Sequence, residues 1–254
     1  MYLAKFFHLP PGDDDRELLL MPGGNPVIAG IYMDEGRKPG RDDFLREEFS
    51  GIKEAIAAYR RHVAALVAAG YVETTHTRYT LRNLLPDPQP KPDWQKGLDD
   101  LMLAALSAPL KQQQKRLAAL ESTPAAFEPL YLWLAAHHAF ASDGDNAEII
   151  QLAEAARDTI VSRRAAGKSH YAWSVAEPDL EARILEVLSW AHLRARNPVA
   201  ALAAIEQACD TDPSQDRSAQ RATLICDHFP ERQDEAFDDA FKYAEFGGFE
   251  DVTG

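Results

Sequence analysis

His137 and His138 are adjacent, so on a helix their side chains diverge by about 100° and cannot chelate one metal ion together. The expectation is one buried, hydrogen-bonded histidine and one at the surface. No His-Glu-x-x-His sequence occurs. His170, in Lys168-Ser169-His170-Tyr171, has no neighbouring cysteine and no serine in a nucleophile elbow. Asp13-Asp14-Asp15 lacks the spaced oxygen ligands of a calcium loop and reads as a solvated turn. Glu177 and Glu181 fall near a helix start, where negative charge is favourable without any chemistry. Gly23-Gly24 runs into Asn25-Pro26, with no lysine and no helix after it, so it is no phosphate loop. Gly36-Arg37-Lys38-Pro39-Gly40-Arg41 is the one compact basic loop, and Asp34, Glu35, Asp42 and Asp43 nearly cancel its field. Nothing here assembles an active site. The chain reads as a non-enzyme, with no metal and no cofactor.

The elements come next. MYLAKFFHL, RELLLM and VIAGIYM read as three strands, separated by PPGDDD and by the turn PGGNP. From Phe49 to Ala69 the period becomes helical, with Ile52, Ile56, Tyr59, Val63, Leu66 and Val67 along one side. Ser50 fits an N-cap, and Gly70 fits the left-handed position after the last turn. Residues 71–82, YVETTHTRYTLR, alternate and read as a strand. This order of strands, long helix and closing strand resembles a WGR domain over residues 1–85. The matching pieces are DDFLREEF, EAIAAYRRHVAALVAAGY and Tyr71-Val72-Glu73. Where that family carries Trp-Gly-Arg, this chain has Gly30-Ile31-Tyr32-Met33 and then DEGRKPG. The resemblance implies a small α+β domain and, as an alternative function, a nucleic-acid-associated regulator.

Residues 86–94, PDPQPKPDW, read as a semi-rigid linker rich in proline, its end anchored by Trp94. Residues 95–254 read as an all-α domain of helical hairpins. GLDDLMLAALSAPL and KQQQKRLAALES are its first helices. PAAFEPLYLWLAAHHAFA pairs with NAEIIQLAEAARDTIVSRRA across Ser142-Asp143-Gly144-Asp145, and RSAQRATLICDHF pairs with RQDEAFDDAFKYAEF across Pro230. Between them, residues 182–213 form two helices joined at Asn197-Pro198 and closed by Asp212-Pro213. The positions of Leu185, Leu188, Ala201, Ile205, Ala208 and Pro213 resemble a tetratricopeptide repeat, with Ser189 and His192 where that family usually has glycine and tyrosine. One such unit cannot bury its own face, so it requires stacked neighbours. The resemblance places Arg183, Glu186, Trp190 and Leu193 along a binding groove. Two readings stand open for Trp190: an exposed anchor on the groove, or packing against the preceding hairpin.

Charge is unevenly distributed. Of the net −13, residues 199–254 contribute −9, with 4 Lys/Arg against 13 Asp/Glu. Asp234, Glu235, Asp238 and Asp239 form its densest run. Such a field repels nucleic acid and steers a basic protein, or else it only solubilises. The tail KYAEFGGFEDVTG is either a frayed terminus or a segment docked on the last hairpin. No apolar run is long enough for a membrane span, and MYLAKFFHLPPGDDD lacks the features of a signal peptide. Cys209 and Cys226 read as reduced core residues of a cytoplasmic protein. The sequence thus predicts a cytoplasmic protein-binding module or adaptor. Its concrete form is a bacterial immunity protein whose acidic end neutralises a basic toxin.

Overall fold

A computed structural model describes residues 3–11, 14–22, 29–34, 44–75, 89–167 and 177–236. A small antiparallel sheet at the N-terminus is followed by a helical region. Contacts divide the chain into two units, Met1–Leu134 with Ser162–Glu177, and Ala135–Val161 with Pro178–Gly254. The division expected at residues 86–94 therefore does not coincide with the division of contacts.

In the first unit, five strands lie in the order β4-β3-β2-β1-β5. They are β1 (Leu3–Leu9), β2 (Asp14–Pro22), β3 (Ala29–Asp34), β4 (Phe44–Phe49) and β5 (Val72–Thr74). Helix α1 (Ile52–Ala68) packs on β2, β3 and β4. Strand alternation sets the buried face, because side chains two apart point the same way. The pairs Leu3↔Leu20, Lys5↔Leu18 and Leu20↔Ile31 bring these residues together there, each no more than 6% exposed. Ala55, Ile56, Ala58 and Tyr59 of α1 are buried with them.

Strand β4 is not visible in the sequence, where DDFLREEF looks like an acidic lead-in to the helix. It is an edge strand with one neighbour, and edge strands tolerate charge because it discourages further pairing. The helix starts at Ile52, with extended Gly51 at its N-cap and no side-chain capping bond, so Ser50 does not cap it. Gly70 takes the left-handed conformation, φ +92°, and Tyr71 N–H closes onto the Leu66 carbonyl at 3.0 Å. Of the strand expected over 71–82, residues 72–74 are strand and 76–82 lie outside the described residues.

The end of the proline-rich segment is docked against the sheet. Thr75 N–H donates to the Gln89 carbonyl at 3.0 Å, Lys91 N–H donates to the Glu73 carbonyl at 2.9 Å, and Thr74 bridges Pro90. Polyproline and β geometry are close neighbours in backbone space, so proline serves at a sheet edge. Helices α2 (Asp93–Ser107) and α3 (Leu110–Leu120) complete this unit's core with Leu98, Leu101, Met102, Leu117 and Leu120. A Cβ on Gly97 would meet Leu120 Cδ2 at 2.8 Å, so glycine permits that close crossing. The helix expected over 124–141 begins only at Pro129, and Pro124–Phe127 form a separate 3-10 turn, because Pro129 forces Glu128 into an extended conformation.

Helix α4 (Pro129–Ala141) and helix α5 (Asn146–Ala165) run through the boundary between the units. The second unit continues with α6 (Glu177–Arg194), α7 (Pro198–Thr211) and α8 (Gln215–His228). The ends of α4 and α6 are closed alike. Asp143 and Arg196 both sit at φ +59°. Gly144 N–H reaches the Ala139 carbonyl and Asn197 N–H the His192 carbonyl, at 2.8 and 2.9 Å, the six-residue closure of a helix that turns sharply. Asn197 then caps α7 by accepting from Ala200 N–H at 3.2 Å, and Pro198 occupies its first turn. Leu185, Leu188, Ala201, Ile205 and Ala208 are all 4% exposed or less, as the hairpin spacing predicts.

Helices α6 and α8 run parallel, side by side. Arg217 bonds Glu186 and Gln220 bonds Ser189, and both pairs are separated by 31 residues. A constant offset in sequence is the signature of parallel alignment. Ser189 is fully buried at this seam.

Candidate functional site

The ionisable residues sort first into those that hold the fold. In the first unit Lys5 Nζ lies 2.9 Å from Glu73 Oε1 and 3.3 Å from Asp99 Oδ2, while Lys91 Nζ lies 2.6 Å from Asp99 Oδ2 and 3.4 Å from Glu73 Oε1. All four side chains are at most 8% exposed, and the square is neutral overall. Burial opposes the Lys5 charge, but Asp99 and Glu73 outweigh it and raise the ammonium pKa above its ordinary value. Tyr59 is fully buried beside them, and its hydroxyl makes no hydrogen bond among the described residues. Burial first, then the charges of Asp99 and Glu73, push that phenol well above its ordinary range.

The expected solvated turn at 13–15 is different. Asp14 and Asp15 belong to β2, and Asp13 lies outside the described residues. Asp15 is 2% exposed and bonds His8 Nδ1 at 2.8 Å, while Tyr71 donates its hydroxyl to Asp14 at 2.7 Å. Asp15 therefore pins the first hairpin, and Asp14 ties β2 to the residue before β5. Among the described residues no group of histidine, cysteine and carboxylate side chains could hold a metal. His137 and His138 are both half-buried; burial, then Arg183, then His138 lower the pKa of His137. Glu181 is buried, and the Glu177 side chain, His170 and loop 36–41 lie outside the description. Cys226 is exposed and Cys209 half-buried, so neither is the fully buried core residue expected; neither is disulfide-bonded.

The four positions expected along a groove lie on one helix, where their spacing alone puts them on one face. Arg183, Glu186, Trp190 and Leu193 follow one helical stripe of α6, and that stripe is the side of the helix open to solvent. Arg183, Glu186 and Leu193 are half-buried, and Trp190 is 41% exposed. The charges on the stripe are already neutralised. Arg183 Nε bonds Asp179 at 3.0 Å, and Glu186 accepts from Arg217. Arg217 is itself buried and also grips Asp212 and Asp179, tying α8 to α6 and to the end of α7. Burial opposes its charge, and Asp212 and Glu186 more than restore it. Arg194 ends the stripe, donating to the Gly144 carbonyl, Asn146 and Asp143 in the α4–α5 turn.

The acidic end is reorganised. Glu235 is neutralised locally, since it bonds Arg232 and Arg221, which also hold Glu206. The bond to Arg232 is the main cause that lowers the Glu235 pKa. Asp234 is exposed, and Asp238 and Asp239 lie outside the described residues with the rest of the tail. Residues 199–236 hold eight acidic residues against three arginines. Because all three arginines are tied to carboxylates, the surplus falls on exposed Asp210, Asp216, Asp227, Glu231 and Asp234. Sequence counting found the charge but could not say which carboxylates were neutralised.

No family model matches this chain, and neither a curated protein nor a solved structure resembles it at a significant level. Among the described residues, no helix is long and apolar enough to cross a membrane.

Proposed function

We propose that the chain is a non-catalytic protein-binding module, an adaptor or bacterial immunity protein whose partner is a basic protein such as a toxin. The observation that carries this reading is Trp190: a tryptophan 41% exposed at the middle of a helical stripe whose flanking charges are satisfied internally. Desolvating such a stripe leaves no unpaired charge behind, and a rigid aromatic is a typical interface anchor. The similar closures of α4 and α6 and the parallel register of α6 and α8 support a tetratricopeptide-like array as its frame. The sheet and α1 support a WGR-like arrangement, used here as scaffold.

Affinity capture with the full chain, followed by mass identification of what is retained, tests the proposal. A partner of high isoelectric point should be held by the wild type and released by Trp190→Ala. Trp190→Ala should act mainly on the dissociation rate, as buried anchors do. Retention of the same partner by the variant, or capture of acidic partners only, would refute the reading.

A further inference from the structure

The stripe that carries Trp190 borders α8, since Glu186, one turn before Trp190, is gripped by Arg217 of that helix. Gln220 bonds Ser189, the residue next to Trp190, and so fixes the level at which α8 passes it. At helical spacing from Gln220, the outer side of α8 carries Asp216, Thr223 and Asp227, all three exposed, and no cation. The two carboxylates are about 16 Å apart along the helix and bracket the level of Trp190. The cations that border this surface are committed: Arg183 to Asp179, Arg194 to Asp143, and buried Arg217 to Asp179, Glu186 and Asp212.

Asp227 carries a second signal. It sits in the last turn of α8, which ends at His228, and the helix dipole disfavours a carboxylate there. Asp216 lies in the first turn, where the dipole alone accounts for it. The helix dipole therefore does not account for Asp227.

We infer that α6 and α8 together form the docking surface, and that its occupant is a basic segment of a partner protein with one large apolar residue between cationic ones. The apolar residue lies on Trp190 and Leu193, and the cations lie against Asp216 and Asp227. Charge complementarity selects this occupant, because the α6 charges beside the aromatic are paired and exposed Asp216 and Asp227 leave the α8 side negative. The inference rests on the binding role proposed above and moves its acidic element from residues 234–239 to α8.

The full chain is titrated with a fluorescein-labelled amphipathic lysine–leucine peptide, a glutamate–leucine counterpart, and polylysine. The lysine–leucine peptide should bind best, more weakly as salt rises. Trp190→Ala should lower its affinity about tenfold or more with the salt dependence kept. Asp216→Asn with Asp227→Asn should flatten the salt dependence, and Asp210→Asn with Asp234→Asn should not. Asp227→Asn should also raise the thermal midpoint of the unliganded protein. Equal binding of the acidic peptide, no binding of the lysine–leucine peptide, an unchanged salt dependence in the α8 variant, or a lowered midpoint would each overturn the inference. A natural partner that needs Trp190 but ignores Asp216 and Asp227 overturns it and leaves the binding role standing; the lack of any Trp190-dependent partner removes both.

Discussion

Lys5, Lys91, Glu73 and Asp99 come from four parts of the chain, and each is tolerable in the core only because the other three are present. Removing one member strands the rest. Lys91→Met should destabilise the protein by about 3–5 kcal/mol in chemical denaturation, the range for breaking a buried ion pair. Lys91→Met combined with Asp99→Leu, which deletes one charge of each sign, should recover much of that loss. A double variant as unstable as the two single losses added would show that the four do not act as a unit. Alkali should reveal the same cluster. Lys5 has a raised pKa, so its contribution is complete below its ordinary 10.5 and is lost as pH climbs through the folded value. Tyr59 acts in the same direction, since the unfolded phenol ionises above its ordinary 10.0 while the buried one stays neutral. Stability should therefore fall above pH ~10, and Tyr59→Phe should blunt the fall. At neutral pH Tyr59→Phe should be neutral or stabilising by about 1 kcal/mol, because an unpaired buried hydroxyl costs about 1–3. None of this was legible in the sequence: Lys5 and Asp99 lie 94 positions apart and each alone looks like an ordinary surface charge.

The hairpin of α6 and α7 was the most legible element, because Leu185, Leu188, Ala201, Ile205 and Ala208 repeat at helical spacing and proline marks both turns. Its closure was not, because a non-glycine residue takes the left-handed position. Arg196 at φ +59° bears a conformational cost of about 1–2 kcal/mol that glycine escapes. Arg196→Gly should thus stabilise by roughly 1 kcal/mol, whereas Ala195→Gly, one residue earlier, should destabilise by about half that or more. Identical thermal shifts in the two variants would contradict the closure. Packing gives a second test. Ala201 is fully buried, and Ala201→Trp should cost about 1–3 kcal/mol or more by overpacking. Ala203 on the same helix is exposed and makes the proper control; Gln207, which the spacing alone would suggest, is half-buried. Equal midpoints for Ala201→Trp and Ala203→Trp would sink the assignment of the hairpin's inner face. Strand β4 stayed hidden for the opposite reason, since Arg46, Glu47 and Glu48 carry no alternating apolar signal.

For the molecule as a whole, the net charge of −13 predicts repulsion of polyanionic partners. Binding to single- or double-stranded DNA should be undetectable at physiological salt, because too few cations are available to release counterions from the phosphates. A gel-shift titration checks this. A salt-sensitive complex abolished by Arg37→Ala with Arg41→Ala would instead favour the nucleic-acid role that the WGR resemblance raises. Composition and charge were enough to find the acidic end. The division of the chain was not so readable, because a run of prolines looks the same whether it spans a gap or lines a sheet edge, as residues 89–91 do here.

That docked segment has a consequence for how the protein is made. Synthesis delivers β1, α1 and β5 before residue 91, so a nascent chain carries Lys5 and Glu73 without their two later partners. Folding of the sheet onto its full core must wait until Asp99 has left the ribosome. A chain halted at residue 85 is then an unfinished product whose inner face still holds a lysine and a glutamate half-paired, a ready substrate for chaperones and proteases.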